Sequence, residues 1–332
     1  MQEKEEENKK IKKHSGLKVF FIIVSIILII FLIGIAVGYN FINSKLNKIN
    51  YEEIDENEIE VTEEVKEELS GYRNIVLFGI DDADGYTGRS DCIIIFSIDQ
   101  KTKNVKMTSI YRDTYVEVPG HGYTKINHAF AYGGATLAMS TINRNLDLNI
   151  TEYVTINFQV VKDVVDSVGG VEINVTSKEA TQIPGISKAG TYNLNGTQAL
   201  AYGRIRKIDS DEKRTERMRT VVDKVFSKVK KMSPLEMNKI ADEILPELHT
   251  NIKKSEITKI MKDVTSYKIG ESMGWPYEVE GKMISKVWYG IPKTLQESVQ
   301  KLHEELFEET DYKTTETVEN ISNTIIKKTG VK

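Results

Sequence analysis

From Val19 to Ser44 the chain carries no charged residue, and between Val19 and Val37 only Ser25, Gly34 and Ala36 are not Ile, Leu, Val or Phe. At about 1.5 Å per helical residue, such a run crosses a hydrocarbon core roughly 30 Å thick. Its sixteen strongly apolar side chains, at about −0.3 to −0.6 kcal/mol each, favour insertion by at most roughly 5 to 10 kcal/mol. A core helix rarely runs this long without a polar face. A cleaved signal peptide has a shorter apolar segment and an A-x-A-like site after it. The residues that follow, Gly38-Tyr39-Asn40-Phe41-Ile42-Asn43, contain no such site. The segment 19–42 is therefore expected to be an uncleaved transmembrane signal-anchor. Lys9, Lys10, Lys12, Lys13 and Lys18 precede it, so the positive-inside bias leaves residues 1–18 in the cytoplasm and exports the rest. The expected location is the cell membrane, single-pass, with an extracytoplasmic domain.

Beyond the anchor, Tyr51 to Ser70 holds ten acidic residues and a single lysine, Lys66. Residues 43–71 read as a solvated acidic stalk, although Ile54, Ile59, Val61, Val65 and Leu69 have partly helical spacing that would also suit a helix packed on the domain. Residues 72–308 carry the folded domain. Residues 309–332 read as a polar, loose tail in which Val318, Ile321 and Ile325 could form one amphipathic face. With Cys92 the only cysteine among 332 residues, no intramolecular disulfide is available and the fold must rest on its core. A net charge of −4 gives no basic excess, so no nucleic-acid partner is expected.

Within the domain, strand and helix signals alternate. Asn74–Ile80, Cys92–Ile98, Asn104–Ile110, Thr114–Val118, Tyr153–Asn157 and Val171–Val175 read as strands, and Tyr277–Val287 as strand-like. Helical spacing covers Asn127–Asn145, Phe158–Val168, Thr215–Lys231, Pro234–Ile244, Glu256–Tyr267 and Leu295–Phe307. The expected fold is α/β, a three-layer α-β-α sandwich with a central mixed sheet, preceded by one transmembrane helix.

Charged residues collect at strand ends, where α/β sheets gather their ligands. Asp81-Asp82-Ala83-Asp84-Gly85 follows the first strand, and Arg89-Ser90-Asp91 precedes the second. Converging carboxylates suit a hard cation such as Mg2+. An EF-hand loop fails, because Gly85 at its sixth position would make Ile80 the first ligand. Arg112 ends the third strand. The alternation Tyr202-Gly203-Arg204-Ile205-Arg206 would point both arginines to one face of an extended segment. Asp211, Arg214, Arg217 and Arg219 then open a helix. Clustered guanidinium groups grip phosphate oxygens in bidentate fashion, yet the same charges could form ordinary surface ion pairs, and charge alone does not decide. No G-x-S-x-G elbow, P-loop or H-E-x-x-H motif is present. His121, His128, His249 and His303 lack metal-ligand spacing, and Cys92 reads as a buried, inert thiol.

Taken together, FGIDD, GRSDC, SIYRD, KINHAFAYGG, VVDSVGGVEINV, LNGTQALAYGRIRK and DEKRTERMR resemble the LytR-CpsA-Psr family of membrane-anchored cell-wall ligases. The likeness runs from about Tyr72 to Lys231 and continues more weakly through Phe307. It implies a phosphotransferase that moves a glycopolymer, such as wall teichoic acid or capsule, from a polyprenyl-pyrophosphate carrier onto a peptidoglycan hydroxyl. The donor, peptidoglycan and the lipid membrane are the implied partners. The resemblance implies Mg2+ on Asp81 and Asp91, with Mn2+ as an alternative. It also implies pyrophosphate binding by Arg89, Arg112, Arg204, Arg206 and Arg214, and Asp211 holding those arginines. Asp81, Asp91, Arg112 and Asp211 form the implied catalytic set, and the lipid tail is expected in an apolar tunnel. Three positions depart from the family pattern: Tyr111 stands for a usual proline, Cys92 for a threonine and Met218 for a glutamine. A hydrolase of the same lipid-linked substrate and a non-enzymatic envelope regulator are the rival readings.

Overall fold

A computed structural model of the protein describes residues 44–80, 88–206, 208–209 and 211–332. The folded unit runs over Ile49–Lys332. Its sheet is built around Cys92-Ile93-Ile94-Ile95-Phe96-Ser97-Ile98, a run apolar on both faces and therefore suited to a central strand. Strands β1 (Asn50–Tyr51), β2 (Tyr72–Ile80), β3 (Ser90–Asp99) and β4 (Asn104–Ile110) join β7 (Glu152–Asn157), β10 (His249–Thr250) and β11 (Lys268–Trp275), while β5 (Tyr115–Val118) and β6 (Gly122–Lys125) pair as a separate hairpin. Among the described residues the first seven form one sheet in the order β1-β10-β7-β2-β3-β4-β11. The pairs β2/β7, β4/β11 and β1/β10 are parallel and the others antiparallel, so the sheet is mixed as expected.

Alternation sorts the side chains between two layers. On one face Val76, Phe78, Ile80, Ile93, Ile95 and Ile110 pack with helices α2 (His128–Leu146), α9 (Leu295–Phe307) and α10 (Glu316–Thr329). On the other, Ile75, Ile98 and Val105 meet Phe226 of α6 (Asp211–Val229) and Ile257 and Ile260 of α8 (Lys254–Asp263). A separate cluster joins α3 (Phe158–Ser167), strands β8 (Val171–Val175) and β9 (Gly190–Leu194), α4 (Ser177–Ala180) and α5 (Gly196–Gly203) to Val221 of α6, with Ile240 of α7 (Pro234–Ile244) packed against it. Gly134, at φ +62°, interrupts α2. The double glycine of the AYGG sequence thus breaks what its spacing presents as one continuous helix.

Two segments expected to stand apart from the core instead belong to it. In the acidic stretch, α1 (Glu63–Glu68) buries Val65, and Ile59 and Leu69 are fully enclosed, all three in the main core. In the C-terminal stretch, α10 is capped by the Thr315 hydroxyl and buries Val318, Ile321 and Ile325. The charges lie on the outer faces of both helices, so a high acidic count coexists with a buried apolar stripe. The expected anchor, 19–42, lies outside the described residues; among those described, no helix is long and apolar enough to cross a membrane.

If α10 belongs to the core, Ile321→Ala should cost about 2–5 kcal/mol in urea unfolding; a loose tail would register under about 0.5. The junction of α9 and α10 also titrates. His303 stacks on Tyr312 at 3.6 Å, and burial pushes its imidazole down from 6.5 to about 4. Between those values the unfolded chain binds a proton that the folded chain refuses, so stability is full above pH 6.5 and falls as pH drops. Taking the protein from pH 7 to pH 5 should therefore destabilise it by about 2 kcal/mol more than a His303→Gln variant, which paired urea titrations would read.

Candidate active site

The site starts from an irregularity between β2 and β3. Gly79 pairs with Cys92 and Ile80 with Ser90, which leaves Asp91 as the extra residue of a bulge. Bulges turn side chains out of the regular pleat and recur beside functional sites. The close approach needs glycine: a Cβ on Gly79 would lie 2.9 Å from the Cβ of Cys92.

Three arginines from separate segments meet at Asp91. The Nη1 of Arg112, just past β4, donates to Asp91 Oδ1 at 2.7 Å. Arg206, in the segment after α5, donates from Nη2 to Oδ2 at 3.1 Å. Arg214, in the first turns of α6, donates from Nη2 to the Asp91 carbonyl at 3.3 Å. Burial works to raise the Asp91 pKa, but Arg112, then Arg214 and Arg206, outweigh it and hold the carboxyl below its usual range. Asp113 extends the cluster: its Oδ2 lies 3.5 Å from Arg112 Nε, and its Oδ1 accepts from Lys125 Nζ at 2.6 Å.

Other expected residues fall less centrally. Arg89 is exposed just before β3. His128, hydrogen-bonded through Nδ1 to Thr124 at 2.9 Å, is held below its ordinary pKa by burial and then by Arg89 and Lys125. Arg204 does not share an extended face with Arg206. Gly203 ends α5, Arg204 caps it at φ −100° and ψ 3°, and its guanidinium lies over the Phe158 ring at 4.4 Å. Asp81 lies outside the described residues, as does the side chain of Asp211, whose backbone opens α6.

Arg217 has a different part. It donates from Nε to Glu179 Oε1 at 2.8 Å and from Nη1 to the Ile205 carbonyl at 3.1 Å, and it is also paired with the Asp209 carboxylate. These bonds fasten the segment bearing Arg206 to the helix bearing Arg214. Glu179 was not singled out by sequence reasoning, yet its signal was present. Thr176-Ser177-Lys178-Glu179 is a T-x-x-E capping box, and Glu179 Oε2 accepts from Thr176 N at 2.9 Å and from its hydroxyl at 2.8 Å. Met218 fills the space beside Gly203 where a side chain would otherwise lie. Burial pushes the Cys92 thiol up to about 12, which suits an inert group.

On the sheet face that carries Ile75, the paired positions Leu77, Cys92, Phe96, Val154 and Ile156 are only half-buried. An apolar tract thus adjoins the arginine cluster. Among the described residues, no group of three or more His, Cys, Asp or Glu side chains is gathered around a metal position. Asp91, held ionised at the centre of the cluster, supplies hard oxygens of the kind Mg2+ takes. Chemically, the arrangement is an excess of fixed positive charge, able to receive a phosphoanhydride at the end of an apolar surface.

A sequence model of the LytR_cpsA_psr family matches residues 36–307. Polyisoprenyl-teichoic acid–peptidoglycan teichoic acid transferase TagT of Bacillus subtilis is 35% identical over 249 residues, 70% of this chain and 75% of that protein. The corresponding transferase TagU of Enterococcus faecalis is 36% identical over 250 residues, 72% of this chain and 79% of its own length. Among solved structures, TagT bound to LIIa-WTA superposes with a TM-score of 0.63 at 31% identity, covering 79% of this chain and 94% of that one. YwtF (TagT) with bound octaprenyl pyrophosphate lipid gives 0.58 at 29% identity, covering 73% and 91%. With this sheet, this arginine cluster and a family match over most of its length, the chain belongs to the LytR-CpsA-Psr family.

Proposed function

We propose that this chain transfers a glycopolymer, of the wall teichoic acid or capsule kind, from a polyprenyl-pyrophosphate carrier onto a peptidoglycan hydroxyl. The observation that carries this reading is the meeting of Arg112, Arg206 and Arg214 at Asp91, in a family whose relatives are named as teichoic acid transferases. The acceptor oxygen bonds to the sugar-bearing phosphorus, its proton is lost to a base, and the anhydride bond to the lipid phosphate breaks. Such a transfer asks the protein for position and charge stabilisation rather than covalent participation. Arg112, Arg206 and Arg214, with Arg89 and Arg204 at the margin, would supply that charge. The half-buried tract of Leu77, Phe96 and Ile156 supports a lipid tail running along the sheet.

Mg2+, or Mn2+ in its place, would be held by Asp91 together with Asp81, and when bound it would neutralise charge on the pyrophosphate. Both Asp91 oxygens engage guanidinium groups, which suits joint arrival of cation and donor. Phosphate oxygens would take over the guanidinium groups of Arg112 and Arg206, leaving the Asp91 carboxylate free to hold the cation with Asp81. Held below the usual carboxylate range, Asp91 is better fitted to carry charge than to accept a proton. The uncharged run 19–42 would anchor the enzyme with this site on the outer face, where lipid-linked donor and wall acceptor meet.

The test is mass spectrometry on the full chain incubated with a synthetic polyprenyl-pyrophosphate glycan, peptidoglycan oligomers and Mg2+. A glycan–phosphate–peptidoglycan adduct, lost with EDTA and restored by Mg2+ or Mn2+, is expected. Sugar phosphate without an adduct would identify a hydrolase instead. Asp91→Asn should lower turnover by about a hundredfold or more, while donor affinity measured without Mg2+ stays at least as strong, because the change removes a competitor for the arginines. An active Asp91→Asn enzyme would sink the assignment.

A further inference from the structure

Helix α6 carries one arginine that the cluster at Asp91 does not use. Arg219 is 8% exposed, and its Nε and Nη1 have no hydrogen-bond partner among the described residues. A guanidinium does not shed its proton in a protein, so two charged donors are buried without acceptors, an arrangement proteins avoid unless something else uses it. The helix is not generally under-satisfied: two residues earlier, Arg217 reaches three acceptors.

Its surroundings indicate what fits. Arg219 borders a cavity of about 660 Å3 between α6 and the edge strand β11, lined on the helix side by Glu216, Asp223 and Lys224 and on the sheet side by Met107, Met273 and Gly274. The bulge of β11 between Ile269 and Ser272 lies along the same wall. Tyr111, Glu216 and Cys92 lie within electrostatic reach of its guanidinium. Cys92 follows Asp91 in β3 and belongs to the half-buried apolar tract. The family's usual proline is replaced here by Tyr111, and its ring takes the space a side chain on Gly274 would need. Through Cys92, Arg219 thus adjoins both Asp91 and the half-buried tract assigned above to the lipid.

We propose that Arg219 is a further donor-binding residue, a ligand for the lipid-bearing phosphate, which is the leaving group of the transfer. This rests on the function proposed above. When the anhydride bond breaks, the bridging oxygen stays with the lipid phosphate, which gains one negative charge as the acceptor's proton departs. The Arg219 donors would meet that charge where it develops.

The test uses the full chain in detergent with three probes: inorganic phosphate, farnesyl phosphate and farnesyl pyrophosphate. Arg219→Met should raise the unfolding temperature of the ligand-free protein, because it removes an unpartnered buried charge. It should also weaken farnesyl phosphate binding about tenfold or more, the worth of a charge-assisted hydrogen bond. Arg219→Lys should recover part of that affinity, and Arg206→Gln should affect the pyrophosphate more than the monophosphate. A lower unfolding temperature for Arg219→Met with unchanged farnesyl phosphate affinity would make the residue structural and overturn the proposal. A loss confined to inorganic phosphate would overturn the lipid-side placement. Wild-type protein that binds none of the three probes would overturn the donor reading as well. An impaired Arg206→Gln beside a normal Arg219→Met would overturn the Arg219 assignment alone.

Discussion

Asp91 allows positive charge to accumulate at one place in a folded chain. Two unit charges about 6 Å apart repel by roughly 3 kcal/mol at an effective dielectric of about 20, and Arg112, Arg206 and Arg214 come from distant parts of the sequence. One carboxylate, with its neighbouring carbonyl, gives each of them an acceptor before any ligand arrives. That role fixes the backbone around it. Asp91 must leave the pleat, so β3 bulges, and the bulge requires a strand partner without a side chain, which Gly79 supplies.

The rest of the domain holds the arginines still. Arg112 follows a central strand, whereas Arg206 sits on a connecting segment that would wander without Arg217 and its partners Glu179 and Asp209. A buried pair of this kind adds little net stability against an apolar replacement, but it gives the segment a single geometry. The capping box that orients Glu179 thus reaches the arginine cluster through two hydrogen-bonded links. Stability itself comes from elsewhere, from the apolar layers on both faces of the sheet, to which the acidic stretch and the C-terminal helix both contribute.

Legibility in the sequence followed the strength of the apolar signal. The Ile93-Ile94-Ile95 strand, the Val171–Val175 strand and the Leu295–Phe307 helix stand where their patterns place them. Strand β11 escaped, because Lys268-Ile269-Gly270-Glu271-Ser272 is polar and glycine-bearing; it sits at the sheet edge, where one neighbour suffices. In the acidic stretch, Ile59, Val65 and Leu69 were visible at helical spacing, but net charge drew the reading toward a solvated stalk. Arg204 and Arg206 alternate as a strand would, yet Gly203 ends a helix there, and two-residue periodicity over so short a span cannot tell a strand from a helix terminus. The family motifs pointed to Arg112, Arg206 and Arg214, which the structure brings to Asp91. They contain Arg219 without setting it apart, because its meaning depends on burial and missing partners, quantities that no linear pattern carries.

Helix α6 shows how binding groups can be kept in a stable fold. Its sequence is polar for a buried element, with three arginines among its first nine residues. Toward its C-terminal half, Val221, Val225 and Val229 enter one apolar cluster and Phe226 another, so the helix is clamped between two cores at the end away from the arginine cluster. The clamped half provides the burial free energy, at about 25 cal/mol per Å2 of apolar surface, while the half bearing Arg214, Arg217 and Arg219 carries the electrostatic cost. Within that half the cost is distributed unevenly. Arg217 is satisfied by protein groups and makes the geometry rigid. Arg219 is left with donors unmatched and makes the site responsive to an anion. A helix satisfied along its whole length would be more stable and would have less to offer a ligand, the trade-off expected where stability and binding draw on the same side chains.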